Sequence, residues 1–411
     1  MFKLKLHWQV FIAMALGILF ALILGEKSTM VTPLGTIFMR LLKMIIVPLI
    51  IFSITSGVAS LGDSKTLGRM GAKTFGYYFL TSILAIITGL LLTNIIRPGV
   101  GVEFSGMGGD FDPASLNKPD SLAGILIRMI PLNPIKAAAD GDMLGIIFWS
   151  ILFGFSITRL SGKPQEFFTN FFAYGFKAMM KLTQGIIALL PIGVFGLITT
   201  AVANSGIDVF KAVGKYIITI FLGLSFHFLV ILPLVFFIFT KISPLKHWKA
   251  MASAFATAFS TSSSGATLPV TIDCIENNVG VSNRTTSFVL PLGATINMDG
   301  TALYECAGVL FISQALGIDL SVSQQVVVVM TAFLASVGAA AVPSAGLVMI
   351  FIVLGAVGLG DHPGAGVIVG TMLAVDRPLD MYRTMVNVAS DSIGAVVVAK
   401  SEGESNLYPN N

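Results

Sequence analysis

Residues 74–96, 216–240, 250–272 and 320–360 contain no Asp, Glu, Lys or Arg. Each stretch is long enough to cross a hydrocarbon layer of about 30 Å as a helix. With 55% hydrophobic residues, 11% charged residues and a mean hydropathy of +0.88, the chain lies far from the balance of a soluble domain. It reads as an all-α polytopic membrane protein. Val10 to Leu24 is apolar too. More apolar segments follow it without a small-residue cleavage signal, so it is read as a first helix and not a removed signal peptide.

Cationic residues cluster in alternate connections: Lys3 and Lys5, then Lys65, Arg69 and Lys73, then Arg159 and Lys163, then Lys241, Lys246 and Lys249. The positive-inside rule puts the N-terminus in the cytoplasm. Helices are expected at 8–25, 34–60, 74–97, 121–160 with interruptions, 166–202 and 209–240, with a Gly- and Asp-rich loop at 98–120. The two cysteines, Cys274 and Cys306, suit packing better than a disulfide framework, and the four scattered histidines suggest no metal site. The formal charge of +4 is small and no basic aromatic patch points to nucleic acid.

The second half is patterned differently. Residues 250–282 carry Ser260-Thr261-Ser262-Ser263-Ser264-Gly265, and residues 320–360 carry Ser336-Val337-Gly338-Ala339-Ala340-Ala341-Val342-Pro343-Ser344, each small or polar centre flanked by apolar sequence. Each is either a straight transmembrane helix with tolerated small residues or a re-entrant hairpin with an unwound tip. Their repetition ahead of polar-rich helices favours hairpins, a pattern of secondary transporters. Between them, Asn297, Asp299 and Thr301 are too closely spaced for one helical face. The helix there either scatters polar groups or unwinds, freeing carbonyls for a cation. Further on, Asp376, Asp380, Arg383, Asn387 and Asp391 recur every three or four residues on one face of an apolar helix. Ionic groups kept in such a place mark a binding site or an internal ion pair.

The motifs SSSGATLP at 262–269, LPLGATINMDGTALYE at 290–305, ASVGAAAVPSAG at 335–346 and DRPLDMYRTMVNVASDSIGA at 376–395 resemble, in order, those of the dicarboxylate/amino acid:cation symporters, which include glutamate and aspartate transporters. The resemblance implies eight transmembrane helices plus two re-entrant hairpins, a homotrimer, and an elevator mechanism. Residues 1–73 and 98–202 would form the scaffold, and 74–97 and 209–400 the transport domain. It implies sodium-coupled symport of L-aspartate or L-glutamate, with two or three Na+ ions. A C4-dicarboxylate carrier or a neutral amino acid carrier of the same fold is the alternative.

The resemblance assigns Arg383 to the substrate side-chain carboxylate, which a guanidinium grips bidentately; an internal pair with Asp380 or Asp376 is the competing use. Asp380 would receive the substrate ammonium and Asn387 the α-carboxylate, with Thr384 and Thr301 as further contacts and Ser262, Ser263, Ser264 and Val342 at the hairpin tips. For Thr384, hydroxyl bonding within its own helix is the alternative. One sodium site would use Asp391, Asn387 and carbonyls near Gly293 and Asn297. A second would use Asn297, Asp299, Tyr78, Thr81 and Ser82, and a third Thr295, Ser336, Val337 and Ala339. Asp376 would either orient the Asn387 region or pair with Arg377. Glu305 takes the place of the proton-coupling glutamate of animal carriers; its alternative is a carboxyl neutral throughout. Met381 and Thr261 stand where relatives hold an arginine, and Ala341 where archaeal members have glycine. An ion channel or an intramembrane hydrolase fits less well: two hairpins around one site suit alternating access, and no Ser-His or paired catalytic-Asp motif is present.

Overall fold

A computed structural model of the chain describes residues 6–59, 65–101, 127, 130–140, 142–205, 209–338 and 345–409. Its first half runs through α1 (Leu6–Leu24), a 3-10 segment (Gly25–Val31), α2 (Thr32–Ala59), α3 (Lys65–Ile96), α4 (Pro134–Asp140), α5 (Met143–Thr158), α6 (Lys163–Ile187), α7 (Leu190–Ser205) and α8 (Val209–Phe226). A π-helical turn (His227–Ile231) leads to α9 (Leu232–Thr240). The second half holds α10 (Pro244–Ala250), α11 (Ala252–Thr261), α12 (Ser264–Asp273), a second π-turn (Cys274–Val279), α13 (Asn283–Ile296), α14 (Asp299–Ala315), α15 (Val322–Gly338), α16 (Ala345–Ala356) and α17 (Pro363–Ser401). The chain is thus an all-α, polytopic helical membrane protein. The stretches Trp8–Ala59, Arg69–Ile96 and Val213–Thr240 are long and apolar enough to cross a membrane, and the bent pair Lys163–Ile186 and Leu190–Ala203 makes a fourth if taken as one span.

Several expected boundaries shift for local reasons. The helix expected at 166–202 is two helices bent by 53°, because Pro191 cannot donate to Ile187 and its ring crowds that carbonyl. Pro233 acts similarly on the 209–240 segment, and the π-turn just before it absorbs the misfit without ending the helix. The third helix starts at Lys65, ahead of the expected 74, because its charged first turns can stand in water. Within 121–160 the described helices are only α4 and α5.

The helices pack in two groups. α2 lies against α5, α6 and α7, and α1 against α7. Thr32 on α2 hydrogen-bonds Thr200 on α7 at 2.9 Å, and a Cβ on Gly196 would fall 2.6 Å from the Gly35 backbone nitrogen, so small residues let these backbones close up. In the second group α14 is buried along its whole length, enclosed by α3, α8, α15, α16 and α17. α17 contacts both groups.

Candidate substrate and cation site

The expected unwinding at the NMDGT motif is present: α13 stops at Ile296, Asn297 and Met298 leave helical geometry, and α14 restarts at Asp299. The break lets Asn297, Asp299 and Thr301, all buried, turn in different directions. Gly300 brings α14 onto α17: a Cβ there would lie 2.8 Å from the Arg383 carbonyl oxygen. Its N–H donates to Asn387 Oδ1 at 2.8 Å, and Asn387 Nδ2 donates to Thr301 Oγ1 at 3.2 Å. The amide that the polar stripe carries is thereby oriented by the broken helix opposite.

Arg383 is 1% exposed. Its Nη2 donates to Asp380 Oδ1 at 2.7 Å, Nη1 lies 3.1 Å from Asp376 Oδ1, and the guanidinium sits 3.7 Å from the Tyr304 ring centroid. Asp376 therefore partners Arg383, while Arg377 reaches Asp380 at 3.6 Å; the expected pairing of Asp376 with Arg377 is replaced. Arg383 Nε has no hydrogen-bond partner among the described residues. Gly346, at the start of α16, lies close by, its Cβ position 3.3 Å from Arg383 Nη1 and Thr301 Cγ2. Thr384 donates to the Asp380 carbonyl at 2.8 Å, the within-helix bond.

Deeper along α17 lies a group rich in oxygen. Asp299 Oδ1 accepts from Ser82 at 2.7 Å and Thr81 at 3.3 Å, and its Oδ2 lies 3.2 Å from His227 Nε2. Asn297 Nδ2 donates to Asp391 Oδ1 at 2.9 Å and to Ser390 Oγ at 3.0 Å, and Ser390 donates to Thr81 at 3.3 Å. Asn297 Oδ1 is buried with no hydrogen-bond partner among the described residues, an acceptor of the kind a hard cation can satisfy. Tyr78 bonds the Val289 carbonyl at 2.8 Å, and its hydroxyl and Asp391 Oδ1 each come within 2.6 Å of the Cβ position of Gly293. Its hydroxyl thus lies on the Asp391 side of the group, while its carbonyl is 3.3 Å from the Thr81 hydroxyl that also reaches Asp299.

The hairpin serines turn the chain between α11 and α12, which pack on each other. Ser262 adopts φ +52°, Ser263 caps α12 by accepting from Ala266 N–H at 3.1 Å, and Ser262 and Ser264 are buried. Both α11 and α12 touch α17. Of the third cation set, Thr295 is exposed and bonds the Leu292 carbonyl at 2.8 Å, Ser336 bonds the Phe333 carbonyl at 2.8 Å, and Val337 is half-buried. Ala339 and Val342 lie outside the described residues. Glu305 is fully buried on α14, and neither carboxyl oxygen has a hydrogen-bond partner among the described residues.

His227 was not singled out in the sequence, because a lone imidazole in an apolar helix resembles a packed core residue; its place inside the charge-free run 216–240 was the available signal. Among the described residues no group of three or more His, Cys, Asp or Glu is arranged to hold a metal. The donors gathered here are carboxylate, amide and hydroxyl oxygens, which suit a hard cation better than zinc.

A buried guanidinium beside a buried oxygen cluster, both centred on a broken helix in an apolar bundle, defines a class of helical membrane protein with ionic groups gathered in its core. Sequence comparison gives the class its name: residues 6–401 match the sodium:dicarboxylate symporter family, and the chain belongs to it. It is a transporter and not an enzyme. It is 36% identical to the proton/sodium-glutamate symport protein of Geobacillus stearothermophilus, over 98% of this chain and 96% of that one. It is 35% identical to the proton/glutamate-aspartate symporter of Escherichia coli K12, over 97% and 93%. It is 37% identical to excitatory amino acid transporter 3 of Mus musculus, over 89% and 78%.

Proposed function

We propose that the chain is a sodium-coupled symporter of L-aspartate or L-glutamate. The observation that carries this is Arg383, fully buried and held by Asp376 and Asp380 beside Asn387 and Thr301. An α-amino dicarboxylate brings two anionic groups and one cationic group. Arg383 takes the side-chain carboxylate, Asp380 the ammonium, and Asn387 with the tips around Ser262, Ser263, Ser264 and Val342 the α-carboxylate. Asp380 lies 2.7 Å from the guanidinium, so the group that would receive the ammonium and the group that would receive the carboxylate sit side by side. A succinate-like ligand offers Asp380 nothing but repulsion, which favours an amino acid over a plain dicarboxylate.

Sodium is the co-substrate. Asp391 with Asn387, Gly293 and Asn297 forms one site, Asp299 with Asn297, Tyr78, Thr81 and Ser82 a second, and Thr295 with Ser336, Val337 and Ala339 a third, giving two or three ions. The orphaned Asn297 Oδ1 supports the first two. Glu305 carries a proton, because a bare carboxylate with no partner in this core would be very costly; the names of both bacterial relatives above include a proton.

The mechanism is an elevator in a homotrimer with cytoplasmic N-termini. Each protomer has eight transmembrane helices and two re-entrant hairpins, α11–α12 and α15–α16. Residues 1–73 and 98–202 form the scaffold, and 74–97 and 209–400 the moving domain, a division that the two packing groups support. The test is uptake into proteoliposomes with Na+, H+ and K+ gradients imposed separately. Sodium-driven, saturable aspartate uptake is expected, and uptake indifferent to sodium would overturn the proposal.

A further inference from the structure

The segment after α17 folds back over the ends of four helices. Glu402 accepts from Arg69 Nη2 at 2.6 Å and from Lys73 Nζ at 2.5 Å on α3. Glu404 accepts the Ser282 N–H at 2.8 Å and the hydroxyls of Ser282 and Thr285, each at 2.7 Å, where α13 begins. The Tyr408 N–H donates to the Val279 carbonyl at 2.6 Å. Its hydroxyl meets His247 Nδ1 on α10 at 2.7 Å, and His247 Nε2 meets Ser392 Oγ on α17 at 2.9 Å. Gly280, at φ +86°, leaves the space: a Cβ there would sit 2.8 Å from the Asn406 carbonyl oxygen, so the chain turn and the tail fit only around glycine.

His247 stands just before α11, and Val279 ends the π-turn that follows α12. Tyr408 therefore ties both legs of the α11–α12 hairpin at their base. The two acidic side chains that precede it, Glu402 and Glu404, anchor the tail to α3 and α13. We propose that residues 402–408 are an intramolecular strap that clamps the base of this hairpin, so that docking of the tail controls whether the two legs part. The strap stands apart from the substrate and cation residues, and its use does not depend on which solute is carried.

The chain contains its own reporters. Cys274 is buried at the hairpin base, its Sγ 3.1 Å from Ser253 Oγ on the opposite leg, and Cys306 is buried on α14. In the detergent-purified full chain without substrate, Tyr408→Ala with Glu404→Gln is expected to speed modification of Cys274 by a small maleimide about tenfold, through local opening, while Cys306 is unchanged. Glu404→Gln alone guards against a misfolded double variant and should move Cys274 in the same direction, by about threefold. Unchanged Cys274 labelling in both variants, or a parallel rise at both cysteines, would overturn the strap.

Discussion

Arg383 is held by two carboxylates and one aromatic face, so its removal takes away the ligand's partner and leaves Asp376 and Asp380 buried without a counter-charge. Arg383→Ala is expected to weaken aspartate binding by about 30- to 5000-fold, the equivalent of roughly 2–5 kcal/mol for a desolvated pair. Titration calorimetry on the purified variant measures this, and near-normal affinity would dismiss the assignment. Asp299 holds the corresponding place in the proposed cation site. With Ser82, Thr81 and His227 all directed at its carboxylate, Asp299→Ala should flatten the dependence of aspartate affinity on sodium while sparing the affinity at saturating salt more than Arg383→Ala does. The stripe from Asp376 to Asp391 was legible in the sequence because charge at helical spacing inside an apolar run is rare. His227 was not, because its partner lies 72 positions away and only the fold brings them together.

At the scale of elements, the break before Asp299 does its work through close contact. In Gly300→Ala the new methyl would stand 2.8 Å from the Arg383 carbonyl oxygen and 3.0 Å from its Cα, backbone that cannot swing aside as a side chain does. The overpacking cost is about 1–3 kcal/mol; thermal unfolding should shift down, and added aspartate should recover less of the loss than in wild type. The junction of α10, α3 and the tail after α17 predicts a pH dependence. Burial lowers His247 to about 3, and hydrogen bonds from Arg69 and Lys73 hold Glu402 down at about 2. Both values lie below those of the free side chains. The stabilisation from His247 is therefore complete above about pH 6.5 and is lost as pH falls towards 3; that from Glu402 is complete above about 4.5 and is lost towards 2. Protection factors at the amides of residues 244–250 and 402–408, taken relative to the intrinsic exchange rate at each pH, should fall on acidification from neutral pH, and protection that rises on acidification would contradict this account. The broken helix was legible from three polar residues too close for one face. The bend at Pro191 and the π-turn before Pro233 were not, because proline marks a disturbance without saying whether the helix ends, kinks or widens.

Over the whole molecule, apolar runs made the all-helical membrane architecture readable, whereas the association of α14 with α3, α8 and α17 depends on long-range packing that no local pattern encodes. That packing also encloses Glu305, and the last prediction rests on it. Among the described residues neither carboxyl oxygen of Glu305 has a hydrogen-bond partner, and the residue has no exposed surface, so the ionised form would be costly there. A proton carried inward on this group with substrate, and released before the empty domain returns, makes net uptake sensitive to pH. Glu305→Gln keeps the size and neutrality of the loaded form and should therefore bind aspartate and sodium while losing the pH dependence of net uptake. The measurement is lumenal pH in proteoliposomes during sodium-driven aspartate uptake, with an uncoupler control. Wild type should acidify the lumen and the glutamine variant should not. If wild type imports aspartate without moving protons, and the variant matches it across about pH 5.5 to 8, Glu305 is a packing residue and sodium alone drives the cycle.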